Sequence, residues 1–178
     1  MPVLVEANSI IVRVEAIRDR FTGGWAAFAD DVPNNTLCSD GEIARVGFMN
    51  PNDGSDYIDR LVDFGLVFKR DDKAVDISVA IQGQGLAIAC DWLDYGGIEI
   101  VPGQNVCAVW RKGSASRQVY CPERWSFERS LSRQYLVASA DHVGQLLTFL
   151  RHDNGIDVYR DALSGKEVFI GRTPLRSQ

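Results

Sequence analysis

The stretch NPNDGSDYIDRLVDFG, residues 50–65, constrains the fold more than any other part of the chain. Asn50 or Asn52 can cap a helix there, and Asp53 and Asp56 fall in its first turn, where the helix dipole favours acids. Ile58, Leu61, Val62 and Gly65 recur at helical spacing, with Gly65 as a natural stop. Short strand-forming runs flank this helix. NSIIVRV (8–14) is β-branched and bounded by Asn8. EIARVGFM (42–49) alternates, with Ile43, Arg45, Gly47 and Met49 on one face and Ala44, Val46 and Phe48 on the other. After the first strand EAIRDRF turns helical. GGWAAFADDV adds a second helix with Thr22 as its cap and Trp25, Phe28 and Ala29 on one face, ended by Pro33 and the following asparagines. RDDK then joins LVF to VDISVAI as strand, turn and strand. Residues 8–81 therefore spell β-α-β-α-β-β. This is an α+β unit with helices packed on one side of a mostly antiparallel sheet, and its short connections suit a ferredoxin-like topology.

The remainder is strand-rich. GLAIAC (85–90), IEIVP (98–102), NVCAVWR (105–111) and RQVYC (117–121) are separated by Gly, Pro and Ser signals, with KGSAS as a hairpin loop. In NVCAVWR, Val106, Ala108 and Trp110 form the expected core face, opposite Asn105, Cys107, Val109 and Arg111. WSFERSLS reads as a further strand. DHVGQLLTFLRHDNG (141–155) reads as a late amphipathic helix, with Asp141 as cap, Val143, Leu146, Leu147 and Leu150 as stripe and Gly155 as stop. A hairpin around LSGK closes the chain before a frayed tail from Thr173. At 178 residues and 46% hydrophobic, the chain can bury a core as a single domain, 1–178. If it divides into two lobes, they are 1–82 and 83–178.

Charge and cysteine usage set the compartment and the partners. Net charge is −5. Residues 1–80 carry 14 acids and 8 bases, whereas residues 111–133 carry 6 bases and 2 acids. One modest basic segment on an acidic chain is a poor nucleic-acid surface, even with Tyr120, Trp125 and Phe127 interleaved, because phosphate affinity needs many cations on one face. Glu6 interrupts the N-terminal apolar run, so no export signal is read there, and no apolar run reaches the roughly 20 residues of a membrane span. Cys38, Cys90, Cys107 and Cys121 are far apart, without C-x-x-C spacing, and are expected as free thiols of a cytoplasmic protein.

Most chemistries lack their pattern. His142 and His152 lie ten residues apart on the expected late helix, about 15 Å, too far for one ion. Neither falls on a predicted strand, and the cysteine spacings of 17 and 14 match no zinc pattern. No metal and no cofactor are expected. There is no G-x-S-x-G elbow and no Walker A sequence, and Gly83 and Gly85 in IQGQGLAIAC are followed by a strand, not by a phosphate-binding helix.

ACDWLDYGG (89–97) is the richest segment, with Cys90, Asp91, Trp92, Asp94 and Tyr95 in six residues. Asp91 beside Cys90 opposes a thiolate, and Asp91 and Asp94 meet on one face only in a helix. As a surface, the same residues form an acidic aromatic patch suited to a basic protein partner. As plain structure, they are a strand-end turn with Trp92 on the core. The balance points away from an enzyme, toward a non-catalytic, cytoplasmic, bacterial-type protein that binds another protein. Toxin-neutralising immunity proteins share this small, acidic, motif-free profile. Neither nucleic acid nor membrane is expected as a partner, and a homo-oligomer is compatible with the sequence. The alternative is a small-molecule-binding protein or small enzyme with a pocket between the two halves.

Overall fold

The computed structural model describes residues 1–114, 118–136, 147–153, 156–161 and 167–171. The chain separates into two compact units, Met1–Tyr135 and Leu136–Gln178. The architecture is mixed α+β with antiparallel sheets and few helices. Among the described residues, no helix is long and apolar enough to cross a membrane.

In Met1–Tyr135 the elements run β1 (Val3–Val5), β2 (Asn8–Arg13), α1 (Val14–Arg20), α2 (Gly24–Asp31), β3 (Cys38–Ser39), β4 (Ile43–Phe48), α3 (Pro51–Asp63), β5 (Lys69–Arg70), β6 (Lys73–Ala74), β7 (Ile77–Ile81), β8 (Gly85–Leu86), β9 (Leu93–Val101) and β10 (Gln104–Arg111). A five-stranded antiparallel sheet has the order β3-β4-β2-β7-β8, and a three-stranded one the order β1-β10-β9. β5 and β6 form a small separate hairpin. β2 is central, pairing Ile10 with Val46 on one side and with Val79 on the other.

The period of two along β2 and β4 explains the layering. Ile10 and Val12 of β2, with Ala44, Val46 and Phe48 of β4, pack against Ile17, Phe28, Tyr57, Ile58 and Leu61 from all three helices. Ile11 and Ile43 point the other way and meet Val3, Val5, Leu93 and Val109 of the second sheet. The large sheet is thus covered on both faces, which is why Ile43–Phe48 is buried at every position. Each fully buried aliphatic or aromatic side chain here contributes about 1.5–3 kcal/mol of transfer free energy.

α3 starts and stops where its sequence directs. The Asn50 side chain accepts from the Asn52 N–H, Pro51 opens the first turn, and Gly65 follows at φ 106°. A side chain at Gly65 would sit 2.6 Å from the Arg20 carbonyl, so only glycine fits that turn. Tyr57 belongs to the buried stripe and Val62 is 43% exposed, the reverse of the expectation for Val62. The expected Thr22 cap is also corrected. Gly23 holds the cap position in a left-handed conformation, and Thr22 donates through both N–H and Oγ1 to the Phe64 carbonyl.

Further corrections concern the later chain. GLAIAC contributes only Gly85–Leu86, while β9 begins at Leu93, earlier than IEIVP. β10 carries buried residues on both faces, Val106 and Ala108 on one and Val109 on the other, and of these Val109 joins the inter-sheet core. RQVYC supplies only a bridge from Tyr120 to Val3, and its residue 117, like 115 and 116 of KGSAS, lies outside the described residues. WSFERSLS is not a strand: Phe127–Arg129 is a 3-10 turn, and residues 131–136 are helical. β1 pairs with β10 and β7 with β8, so residues on both sides of position 82/83 share sheets.

The unit Leu136–Gln178 contains β11 (Leu147–Asp153), β12 (Ile156–Asp161) and β13 (Glu167–Gly171) as an antiparallel meander. The late helix is therefore corrected to a strand from Leu147 onward, while residues 141–146, with Asp141 and His142, lie outside the described residues. The physical reason is in the sequence: Asn154-Gly155 falls between the last paired residues, Asp153 and Ile156, and Asn-Gly is the strongest two-residue hairpin signal. His152 consequently sits on a strand, and helical spacing does not apply to it. The closing hairpin is present as β12 paired with β13, with residues 162–166 of its link outside the described residues.

Candidate functional site

Three polar regions of Met1–Tyr135 can be compared residue by residue. The first is ACDWLDYGG, which leads into β9 and does not end a strand. Asp91 is exposed and accepts from Lys73 Nζ at 2.9 Å. This hydrogen bond draws the Asp91 carboxyl below its ordinary range and raises the Lys73 ammonium. Trp92 is half-buried, donates Nε1–H to the Ala74 carbonyl at 3.3 Å, and lies 5.7 Å beneath the Arg13 guanidinium. Leu93 is buried in the inter-sheet core, with Cys90, Trp92 and Tyr95 packed at its margin. The Tyr95 hydroxyl accepts from the Gly83 N–H at 3.0 Å and donates to the Ile81 carbonyl at 3.2 Å. Burial, with Cys107 beside it, pushes the Tyr95 phenol up. Asp94 is half-buried and faces Trp110 across the ladder. The five residues are thus neighbours on one strand entry, and Asp91, Trp92 and Tyr95 already have partners within the chain.

The second region is a charge pair between the two sheets. Arg45 and Glu6 are 0% and 2% exposed, with Arg45 NH2 donating to Glu6 Oε2 at 3.1 Å. Arg45 also donates from Nε to the Leu4 carbonyl at 2.7 Å and from NH1 to the Thr36 carbonyl at 3.1 Å. Glu6 Oε1 accepts from Trp125 Nε1 at 2.9 Å and from the Ser132 N–H and Oγ, both at 3.2 Å. A Cβ at Gly47 would lie 3.0 Å from Arg45 NH1 and from Leu131, so this glycine leaves space for the guanidinium. Cys38 is beside the pair. Burial pushes its thiol up to about 11 although Arg45 opposes the shift. Burial also raises Cys121. Thiols held protonated in this way are weak nucleophiles.

The third region is an open groove of about 780 Å³ along α3. Asp53, Asp56, Asp59 and Asp63 line it, at spacings of 3, 3 and 4 that keep them on adjoining helical faces. All four are exposed. Pro33, Asn34 and Phe48 complete one wall. The only base in its lining is Arg60, which donates from Nε to both Asp31 oxygens at 2.9 and 2.7 Å and also through NH2. Its guanidinium lies 5.8 Å over the Phe64 ring, and the Asp31 hydrogen bonds raise its pKa. Tyr57 lines the same groove. Its ring packs 5.4 Å from Phe48, and its hydroxyl is buried with no hydrogen-bond partner among the described residues. Burial raises the phenol, Asp31 adds to the shift, and Arg60 opposes it.

The sequence reading missed the groove, although its signal was present: acids at 53, 56, 59 and 63 are a helical stripe, not just first-turn acids. Among the described residues no group of three or more His, Cys, Asp or Glu is arranged to hold a metal ion. No family model matches the chain, and no curated protein or solved structure matches it either.

Proposed function

We propose that this chain is a non-catalytic protein that binds a basic protein partner through an acidic face. The observation that carries the reading is the α3 groove, where four carboxylates line the wall and the guanidinium beside them, Arg60, is already taken by a fifth, Asp31. Four exposed, like-charged side chains on one helix repel each other, and a cationic partner relieves that repulsion while speeding its own association. Cys90, Asp91, Trp92, Asp94 and Tyr95 form the secondary surface in this reading, although Lys73 and Arg13 already neutralise part of it. An immunity-like role, bacterial in type, belongs to the same proposal, as does a cytoplasmic setting, supported by four free thiols. A ferredoxin-like core is the finer fold proposal, supported by three helices on one face of an antiparallel sheet. The second reading, a small-molecule pocket, draws support from the size of the groove, which lies within residues 33–63 and not between the halves.

The test is affinity purification with tagged wild-type protein beside a variant carrying Asp→Asn at 53, 56, 59 and 63. A basic protein recovered stoichiometrically by the wild type and lost with the variant is the expected result. Equal recovery by both, or a stable monomer that recovers nothing, overturns the reading.

A further inference from the structure

The Tyr57 hydroxyl is the one feature of the groove that packing does not explain. Phenylalanine would fill the same space against Phe48, Ile58 and Leu61, yet the residue carries a hydroxyl. Tyr57 is only 4% exposed, and that hydroxyl has no partner among the described residues. A buried polar group left unpaired destabilises a fold, so a native one calls for a specific reason. Tyr57 lines the groove beside Arg60, whose guanidinium is held by Asp31, so the tyrosine belongs to the groove wall.

Resting on the reading that this face docks a basic partner, we propose that the groove is a guanidinium site: the Tyr57 oxygen accepts from an arginine side chain of a basic protein segment, and Asp56 and Asp59 hold its charge. The chain already shows that a guanidinium suits this rim, because Arg60 forks onto Asp31 and lies over Phe64. Arg60 is committed there, and no ion pair engages Asp53, Asp56, Asp59 or Asp63 among the described residues. A guanidinium presents a planar fork that bridges a carboxylate and a phenol oxygen together, whereas an ammonium is a point charge that can satisfy the carboxylates alone. Asp56 and Asp63 are separated by about 10 Å along the helix, a span an extended peptide covers with about three residues. The groove is open and lined along α3 from Asp53 to Asp63, which fits such a segment better than an enclosed small molecule.

Fluorescence anisotropy with a labelled Gly-Arg-Gly-Arg-Gly-Arg peptide and its lysine counterpart, at 150 mM salt, tests this. Wild type is expected to bind the arginine peptide saturably and more tightly than the lysine peptide. Tyr57→Phe, which keeps the ring, should weaken arginine-peptide binding about tenfold, change lysine-peptide binding by less than about twofold, and melt no lower than wild type. Asp56→Asn with Asp59→Asn should weaken both peptides. Arg60→Gln leaves Tyr57 in place, removes the positive charge of the lining and should tighten arginine-peptide binding about threefold. No saturable binding by wild type overturns the proposal, as does weaker binding by Arg60→Gln. If Tyr57→Phe binds as wild type while the double Asn variant is impaired, the guanidinium site falls and the acidic docking surface stands. If all variants bind alike, both fall.

Discussion

The Glu6–Arg45 pair and the α3 groove are both rich in charge, and they solve opposite problems. Between the sheets, the side-chain polar atoms of the pair meet either each other or a donor or acceptor at Leu4, Thr36, Trp125 and Ser132. Along α3, four carboxylates face solvent with no ion-pair partner among the described residues, and a buried hydroxyl likewise has no partner there. The first is a closed account of hydrogen bonds that fixes how the sheets meet. The second is an open one that a partner can complete. Charge alone does not mark a site; unsatisfied charge with access to solvent does.

The sharpest way to break this contrast is to remove one side of the buried pair. Arg45→Met leaves Glu6 uncompensated and is expected to lower stability in urea unfolding by about 3–5 kcal/mol. Adding Glu6→Gln should recover more than half of that, since no unpaired charge remains. A loss below about 1 kcal/mol would mean that the pair is solvated and the contrast is false.

The thiol beside the pair offers a second test. Folding raises the Cys38 pKa from 9.0 to about 11, so the folded state favours the protonated thiol. That contribution is complete below pH 9 and is lost as pH rises toward 11, amounting to about 2 kcal/mol. Cys38→Ala should flatten this part of the stability profile. An unchanged slope between pH 9 and 11 would show that the thiol is not held protonated by burial.

Trp125→Phe removes one donor to Glu6 Oε1 and keeps most of the ring, so a loss of about 1–2 kcal/mol is expected by the same denaturant assay. The smallest effects belong to α3. Asp59→Asn should shift stability by less than about 0.5 kcal/mol. Asp63→Asn, at the end of the helix where an acid opposes the dipole, should stabilise by a few tenths, or about 0.3 kcal/mol. Thermal melts resolve both, and a large loss from either would move these acids from the binding face to the structural framework.

What could be read in advance follows the range of the interactions. The ends of α3, the alternation of β4 and the strand at 105–111 are local patterns, and they appear where their residues direct. The stretch from Leu147 failed because its apolar spacing fits a helix, while the Asn-Gly pair after it favours a hairpin. Arg45 was legible as one position in an alternating strand, but its burial depends on Glu6, 39 positions away, and on a glycine at 47 that leaves it space. The residues at 90–95 are a dense group of polar and aromatic side chains in the sequence. Their partners, Lys73, Arg13 and Gly83, come from other elements and could not be read from the segment itself. Tyr57 looked like any aromatic on a helix, and its orphan hydroxyl is visible only once the wall around it is built.

The reach of Glu6 also has a temporal side. Its Oε1 finds its donors 119 and 126 positions further along the chain, and β1 pairs with β10 across a similar span. As the polypeptide emerges during synthesis, β2, β4 and the three helices can associate early, through contacts close in sequence. The N-terminal strand must wait, its carboxylate still hydrated, until Trp125 and Ser132 arrive. The buried pair therefore acts as a late latch, so that β1 is among the last strands to be locked.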